Sequence, residues 1–134
     1  MDEFMLTDDK VIEQFAVNQD RLFAGKSSRI STKAAAAAQQ FLKKDVLPHF
    51  AYEERYIFPG LLRAGLGDEV ANDVAEIRKD HRALIKEIKE LTALLAQEKL
   101  TSDDVVVLRE AMRSFGKHLQ RHAVKENKLF PSLV

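Results

Sequence analysis

The sequence predicts an all-α protein built as an antiparallel up-down-up-down four-helix bundle, and three observations predict it. Apolar residues recur three and four apart through four long segments. Glycine and proline are scarce, 5 and 3 in 134 residues, so little interrupts a helical chain. No stretch alternates apolar and polar with the period of two that marks a strand.

The first helix is expected over about 8–25, with Val11, Ile12, Phe15, Leu22 and Phe23 on one stripe. A polar stretch, 26–32, separates it from the second, expected over about 32–58. Ser31 or Thr32 offers a side-chain oxygen to its free N–H groups, and the alanine run at 34–38 is among the strongest helix formers available. Phe41, Leu42, Val46 and Phe50 continue its apolar face. Pro48 should bend this helix because it has no N–H to donate, and Pro59-Gly60 should stop it. The third helix is expected over about 68–97, after the turn-like Ala64-Gly65-Leu66-Gly67. It carries Val70, Val74, Ile77, Leu84, Ile85, Ile88, Leu91 and Leu95 at helical spacing. Thr101-Ser102-Asp103-Asp104 caps the fourth, over about 102–130, whose inner face reads Val107, Leu108, Met112, Phe115 and Leu119 and which ends at Phe130-Pro131. Four such stripes joined by short connections bury themselves best as one bundle, a single domain over 1–134.

Composition narrows the chemistry. Lysine plus arginine equals aspartate plus glutamate, 21 each, so no strong field points at nucleic acid or an acidic membrane. Cysteine is absent, which excludes disulfides, iron–sulfur clusters, thiolate catalysis and cysteine-bound zinc. Histidine and carboxylate are left to hold any metal. The acidic start, MDEFMLTDDK, lacks the basic flank and apolar run of a signal peptide, and no stretch approaches the ~20 apolar residues that span a bilayer. A cytoplasmic protein is expected. No glycine-rich phosphate loop or nucleophile elbow is present.

The chain repeats itself where histidine meets glutamate. His49-x-x-x-Glu53 leads to Ile57-Phe58-Pro59, and His122-x-x-x-Glu126 leads to Leu129-Phe130-Pro131. Positions four apart share a helix face, so each histidine points with its glutamate, in or beside the apolar stripe. A charged carboxylate there costs several kcal/mol unless it is paired or bound to a metal. His81 is sharper: Val74, Ile77, Leu84, Ile85 and Ile88 surround it at helical spacing and turn it inward. A lone inward histidine is commonly a hydrogen-bonded core residue, and a His–Glu pair is common on solvated faces. Three inward histidines and two carboxylates on three helices favour a metal, and imidazole with carboxylate suits iron, manganese or zinc.

These motifs, His49-x-x-x-Glu53, His81 within Lys79-Asp80-His81-Arg82, and His122-x-x-x-Glu126, resemble the hemerythrin (HHE cation-binding) family over nearly the whole chain. The resemblance implies a bundle holding a carboxylate-bridged pair of non-haem irons. His49, His81 and His122 would be terminal ligands, Glu53 and Glu126 would bridge, and a water, hydroxide or oxo group would complete the site. The family's first helix normally supplies another histidine, and this first helix has none. Gln19 has the matching position, since Ile12, Phe15, Leu22 and Phe23 surround it as apolar residues surround His81. Asp20, aligned in Asp20-Arg21 with His81-Arg82, is the better ligand chemically. His118, one turn before His122, is a third stand-in or an edge residue. Tyr52 and Tyr56 flank the first motif and are expected to pack.

The functional expectation is an iron protein that binds dioxygen, nitric oxide or iron itself, in sensing, storage or carriage. The alternatives are a di-iron enzyme acting on nitric oxide or peroxide, and a helical interaction module without metal. Relatives that repair iron–sulfur centres carry a cysteine-bearing extra domain, which is not found in this sequence.

Overall fold

Thr7 starts the first helix, α1 (Asp8–Leu22): its backbone is extended and its hydroxyl accepts from the Lys10 amide at 3.3 Å. Asp8 and Asp9 then sit in the first turn, where the free N–H groups favour negative charge. The computed structural model describes residues 7–24 and 30–129, so the expected helix end at Gly25 and the Phe130-Pro131 terminus lie outside the described residues.

Helix α2 spans residues 32–63 and is the irregular one. Ser31 accepts from the Ala34 amide, and α-helical pieces Thr32–Phe41, Leu47–Tyr52 and Phe58–Arg63 are joined by π-helical turns at Leu42–Val46 and Glu53–Ile57. Each wide turn ends two residues before a proline. Leu47 donates back to the Leu42 carbonyl and Phe58 to the Glu53 carbonyl, five residues behind in both cases. A proline ring crowds the carbonyl four residues back and offers no N–H, and a widened turn carries the chain past that defect without breaking it. The bend expected at Pro48 is therefore taken up as a π turn. The stop expected at Pro59-Gly60 is overturned. Pro59 sits in the first turn of a fresh α segment, where its missing N–H is not needed, and the helix continues to Arg63. It ends at Ala64-Gly65, where Gly65 at φ 62° supplies the left-handed conformation of a helix stop.

Helix α3 is Asp68–Leu95 and α4 is Ser102–Leu129. Thr101 and Asp104 cap α4 reciprocally: the Asp104 amide donates to Thr101 Oγ1 at 3.1 Å and the Thr101 amide to Asp104 Oδ2 at 2.9 Å. Val107 was expected to face inward but is 54% exposed. Val105, three residues before the buried Leu108, takes the inner place, as helical phase requires.

Cross-helix contacts give the directions. Phe15 meets Phe115 and Phe23 meets Arg109, so α1 and α4 run opposite ways. Gln39 donates to the Thr92 carbonyl and Arg78 to Glu54, which opposes α2 and α3. Lys125 pairs with Glu76 and His118 with Glu87, which opposes α3 and α4. The result is the all-α bundle that the periodicity predicts. Its core is two unequal apolar clusters. The larger one draws Val11, Phe15, Phe41, Phe50, Leu84, Leu108 and Phe115 from all four helices. The smaller one, Phe58, Leu61, Val74, Ile77 and Leu129, comes from α2, α3 and α4 alone. The polar cluster described below lies between them, at the level where α1 begins.

No helix among the described residues is long and apolar enough to cross a membrane. Phe115, fully buried against Phe15, tests the packing. Phe115→Ala should cost about 3–5 kcal/mol in urea unfolding, whereas Val106→Ala at an exposed position should stay within about 0.5 kcal/mol.

Candidate metal centre

Helical phase brings five of the expected residues together. His49 and Glu53 come from α2, His81 from α3, and His122 and Glu126 from α4, all buried. His81 Nε2 lies 2.9 Å from His122 Nε2, 3.3 Å from Glu53 Oε1 and 3.9 Å from Glu126 Oε1. Glu126 also touches His122 directly. His49 Nε2 lies 3.5 Å from Glu53 Oε1. The sixth member is one the sequence reading did not nominate: Asp8, in the first turn of α1, puts Oδ1 2.6 Å from His49 Nε2. The donors form two groups, Glu53–His81–His122–Glu126 and Asp8–His49–Glu53, and within each the donor atoms lie within 4.8 Å of one another. Glu53 belongs to both.

Among the described residues, five buried polar atoms of this cluster lack a partner in hydrogen-bond geometry: Asp8 Oδ2, Glu53 Oε1, His81 Nδ1 and both oxygens of Glu126. Native interiors leave few such atoms, and four of these five are carboxylate oxygens converging on one region. Cation binding in these donor groups would answer them. With protein groups alone, the carboxylates compete for a proton. Burial, then the hydrogen bond and charge of Glu126, push the Glu53 carboxyl up to about 12. Burial also acts to raise Glu126, but the close approach of His122, His81 and Glu53 outweighs it and holds that carboxyl well below the usual range. Burial acts to lower His122, and the hydrogen bond and charge of Glu126 reverse it and raise the imidazole. The protein groups therefore keep one proton between two glutamates, the place a cation takes.

A family model, the hemerythrin HHE cation binding domain, matches residues 7–133. The chain belongs to the hemerythrin HHE family. Comparison with curated proteins and with solved structures gives no significant match. Membership carries cation binding, and the buried His–Glu cluster is where this HHE domain can hold the ion.

The first-helix stand-ins fall elsewhere. Gln19 is half-buried in a surface cleft between α1 and α4, with Ile12, Arg113, Gly116 and Gln120, and Asp20 is exposed. The phase of Gln19 is close to the buried stripe, Val11, Phe15, Asn18 and Leu22, but its level is wrong. Antiparallel packing sets Phe15 against Phe115, which puts the start of α1, not its far end, beside His122. At about 1.5 Å per residue, Gln19 lies roughly 16 Å along the axis from Asp8. A signal for Asp8 was available: reflecting His49 through the middle of the 26–32 connection lands on the Asp8-Asp9 pair. His118 does not join the cluster either. It lies a turn further along the α3–α4 seam, with Nδ1 2.6 Å from Glu87 Oε2. Tyr52 and Tyr56 pack on each other, ring centroids 5.1 Å apart.

Around the donors of the HHE domain stands a ring of supporting groups. Asp80 Oδ2 lies 3.5 Å from His122 Nδ1 and is held by Lys125 Nζ at 2.9 Å. Burial acts to raise Asp80, and the Lys125 and His122 contacts overcome it and lower its carboxyl. Phe50 stacks on His81 at 4.5 Å and Phe58 tilts against it at 5.4 Å, fixing the imidazole plane. Such partners orient metal-binding histidines and raise their basicity.

Two outcomes follow for chelator-treated protein and for its metal affinity. The stability owed to a protonated Glu53 is full below its ordinary 4.5 and drains as pH rises toward about 12, and the raised His122 acts in the same direction above 6.5. The melting temperature of chelator-treated protein should therefore fall as pH rises through the neutral range, and Glu53→Gln should flatten that slope. Asp80→Asn should weaken metal binding about 10–100-fold in a competitive chelator titration while the fold is retained by circular dichroism.

Proposed function

We propose that this HHE domain holds two non-haem irons that share Glu53 and binds a small diatomic ligand, dioxygen or nitric oxide, in sensing, storage or carriage. The observation that carries the reading is the pair of donor groups joined through one glutamate. His81, His122 and Glu126 serve one ion, Asp8 and His49 the other, and Glu53 both. The donor chemistry, imidazole and carboxylate without sulfur, supports iron, with manganese and zinc as the other ions it suits. Bound iron supplies redox chemistry and open coordination positions.

The chain's own residues suggest where an outside ligand meets the centre. A cavity of about 10 Å³ lies beside Asp8 and His49, walled by Val11, Ile12, Phe50, Leu119 and Ala123. That is about the room one water needs. His122 completes its lining, and the small volume limits the ligand to a very small molecule. The Asp8–His49 group also has one protein donor fewer than its neighbour, which leaves more of the ion's coordination to outside ligands. That shortfall favours the second reading as well, turnover of nitric oxide or peroxide at the same position.

The test is metal content per chain after anaerobic loading with ferrous iron, followed by the absorption spectrum as air or nitric oxide is admitted. Two irons and a new charge-transfer band are expected. Glu53→Ala should lose both irons, and His118→Ala should keep both. A stable adduct marks a carrier or sensor, and steady consumption of nitric oxide or peroxide marks an enzyme. Failure to take up iron, zinc or manganese overturns the reading and leaves an interaction module.

A further inference from the structure

The surface cleft between α1 and α4 leads toward the metal centre, and the two helices step along it together. At its mouth stand Ala16 and Arg113, both exposed. Deeper, Phe15 faces Gly116. A Cβ on Gly116 would stand 2.9 Å from Phe15 Cε2, so the missing side chain is what lets this ring lie so close to α4. One turn nearer the centre on each helix come Ile12 and Leu119. A further turn brings Asp8 and His122, which line the small cavity beside His49. Ile12 and Leu119 border both spaces, the outer cleft of about 180 Å³ and the inner cavity of about 10 Å³. Those two side chains are the wall that the spaces share.

We propose that the diatomic ligand reaches the centre through this seam, and that Ile12 and Leu119 form the gate it passes. The inference rests on the reading that the ligand is held in the cavity beside Asp8 and His49, and it adds the way in. Ile12 is the half of the gate that can move. It is half-buried and only packs against the edge of the larger apolar cluster, whereas Leu119 is buried within it. A side chain with solvent on one side changes rotamer readily, and a diatomic molecule needs only a brief opening. The gate also selects. A neutral diatomic gives up almost no hydrogen bonding when it passes between two aliphatic side chains, whereas an ion or a water gives up its own.

The experiment times the binding and release of nitric oxide, and of dioxygen in the same way, on the full chain loaded with ferrous iron. Affinity is measured separately by titration. Ala16 and Arg113 line the outer cleft and not the inner cavity, so filling the mouth there obstructs passage without touching the bound ligand. Ala16→Trp and, from the α4 side, Arg113→Trp should each slow binding and release together by about tenfold, because a barrier counts equally in both directions, and leave the affinity unchanged. Ala36→Trp, at an exposed position in a separate cleft that Ile30, Leu95 and Leu100 also line, should change neither rate. Iron content and circular dichroism should match the natural chain in all three. Unchanged rates in both mouth variants, an altered affinity, or equal slowing by Ala36→Trp overturns the route and leaves the ligand reading standing. A natural chain that loads iron yet takes up neither gas overturns that reading itself.

Discussion

Gathering Asp8, Glu53 and Glu126 inside an apolar bundle is the constraint around which the structure is arranged. Each ionised carboxylate costs several kcal/mol to bury, and mutual repulsion adds to the cost at these separations. Three histidines offset part of it, yet among the described residues four carboxylate oxygens keep no hydrogen-bond partner. Protein groups alone settle the conflict by holding a proton on Glu53, and they do so against a carboxyl's normal preference. A bound cation would settle it better, because either donor group brings two of the carboxylates to one point where positive charge can serve both. The cluster is thus a local conflict in an otherwise consistent fold, and such conflicts mark functional sites.

The helices meet the constraint by holding the donors rigidly. Fully buried aromatic rings, Phe50 and Phe58, close on His81 from the two apolar clusters, so the core itself sets the imidazole orientation. Outside the donors, Asp80 and Lys125 support His122, and Arg78 holds Glu54 at 3.1 Å beside His81. Helix α2 does the most demanding work. Its two prolines are absorbed by π turns, one of which opens at Glu53 itself. A wide turn re-phases the residues after it, so Phe58 and Leu61 return to the core side while His49 and Glu53 keep their shared face.

Much of this was legible in the sequence, and the reasons are physical. Periodicity of 3.6 located four helices and the inward faces of His49, Glu53, His81, His122 and Glu126, because burial of a stripe is a local property of one helix. Two expectations failed for different reasons. Pro59-Gly60 reads as a stop, but a helix that has just widened can restart on a proline. Val107 adjoins the buried Leu108, but helical phase turns Val105, three residues before Leu108, inward instead. The error at Gln19 is of another kind. Phase can be read from one segment, but level along the bundle depends on how two helices and their connection register. Asp8 was hidden because its helix begins at the site: it has no preceding turn to give it an apolar context, and it stands in an acidic run like any solvated helix start.

That placement at a helix start also gives the two halves of the centre different characters. His81, His122 and Glu126 sit mid-helix, with turns of backbone hydrogen bonds on both sides, and they move only if the bundle opens. Asp8 sits one residue after its cap, where helices fray most easily. The hydroxyl of Thr7 and the close contact with His49 hold it in place. The three mid-helix donors are therefore bound to the global stability of the fold, and Asp8 to the stability of a single turn. Glu53 belongs to both donor groups, so a shift of Asp8 and His49 reaches His81, His122 and Glu126 through that one side chain.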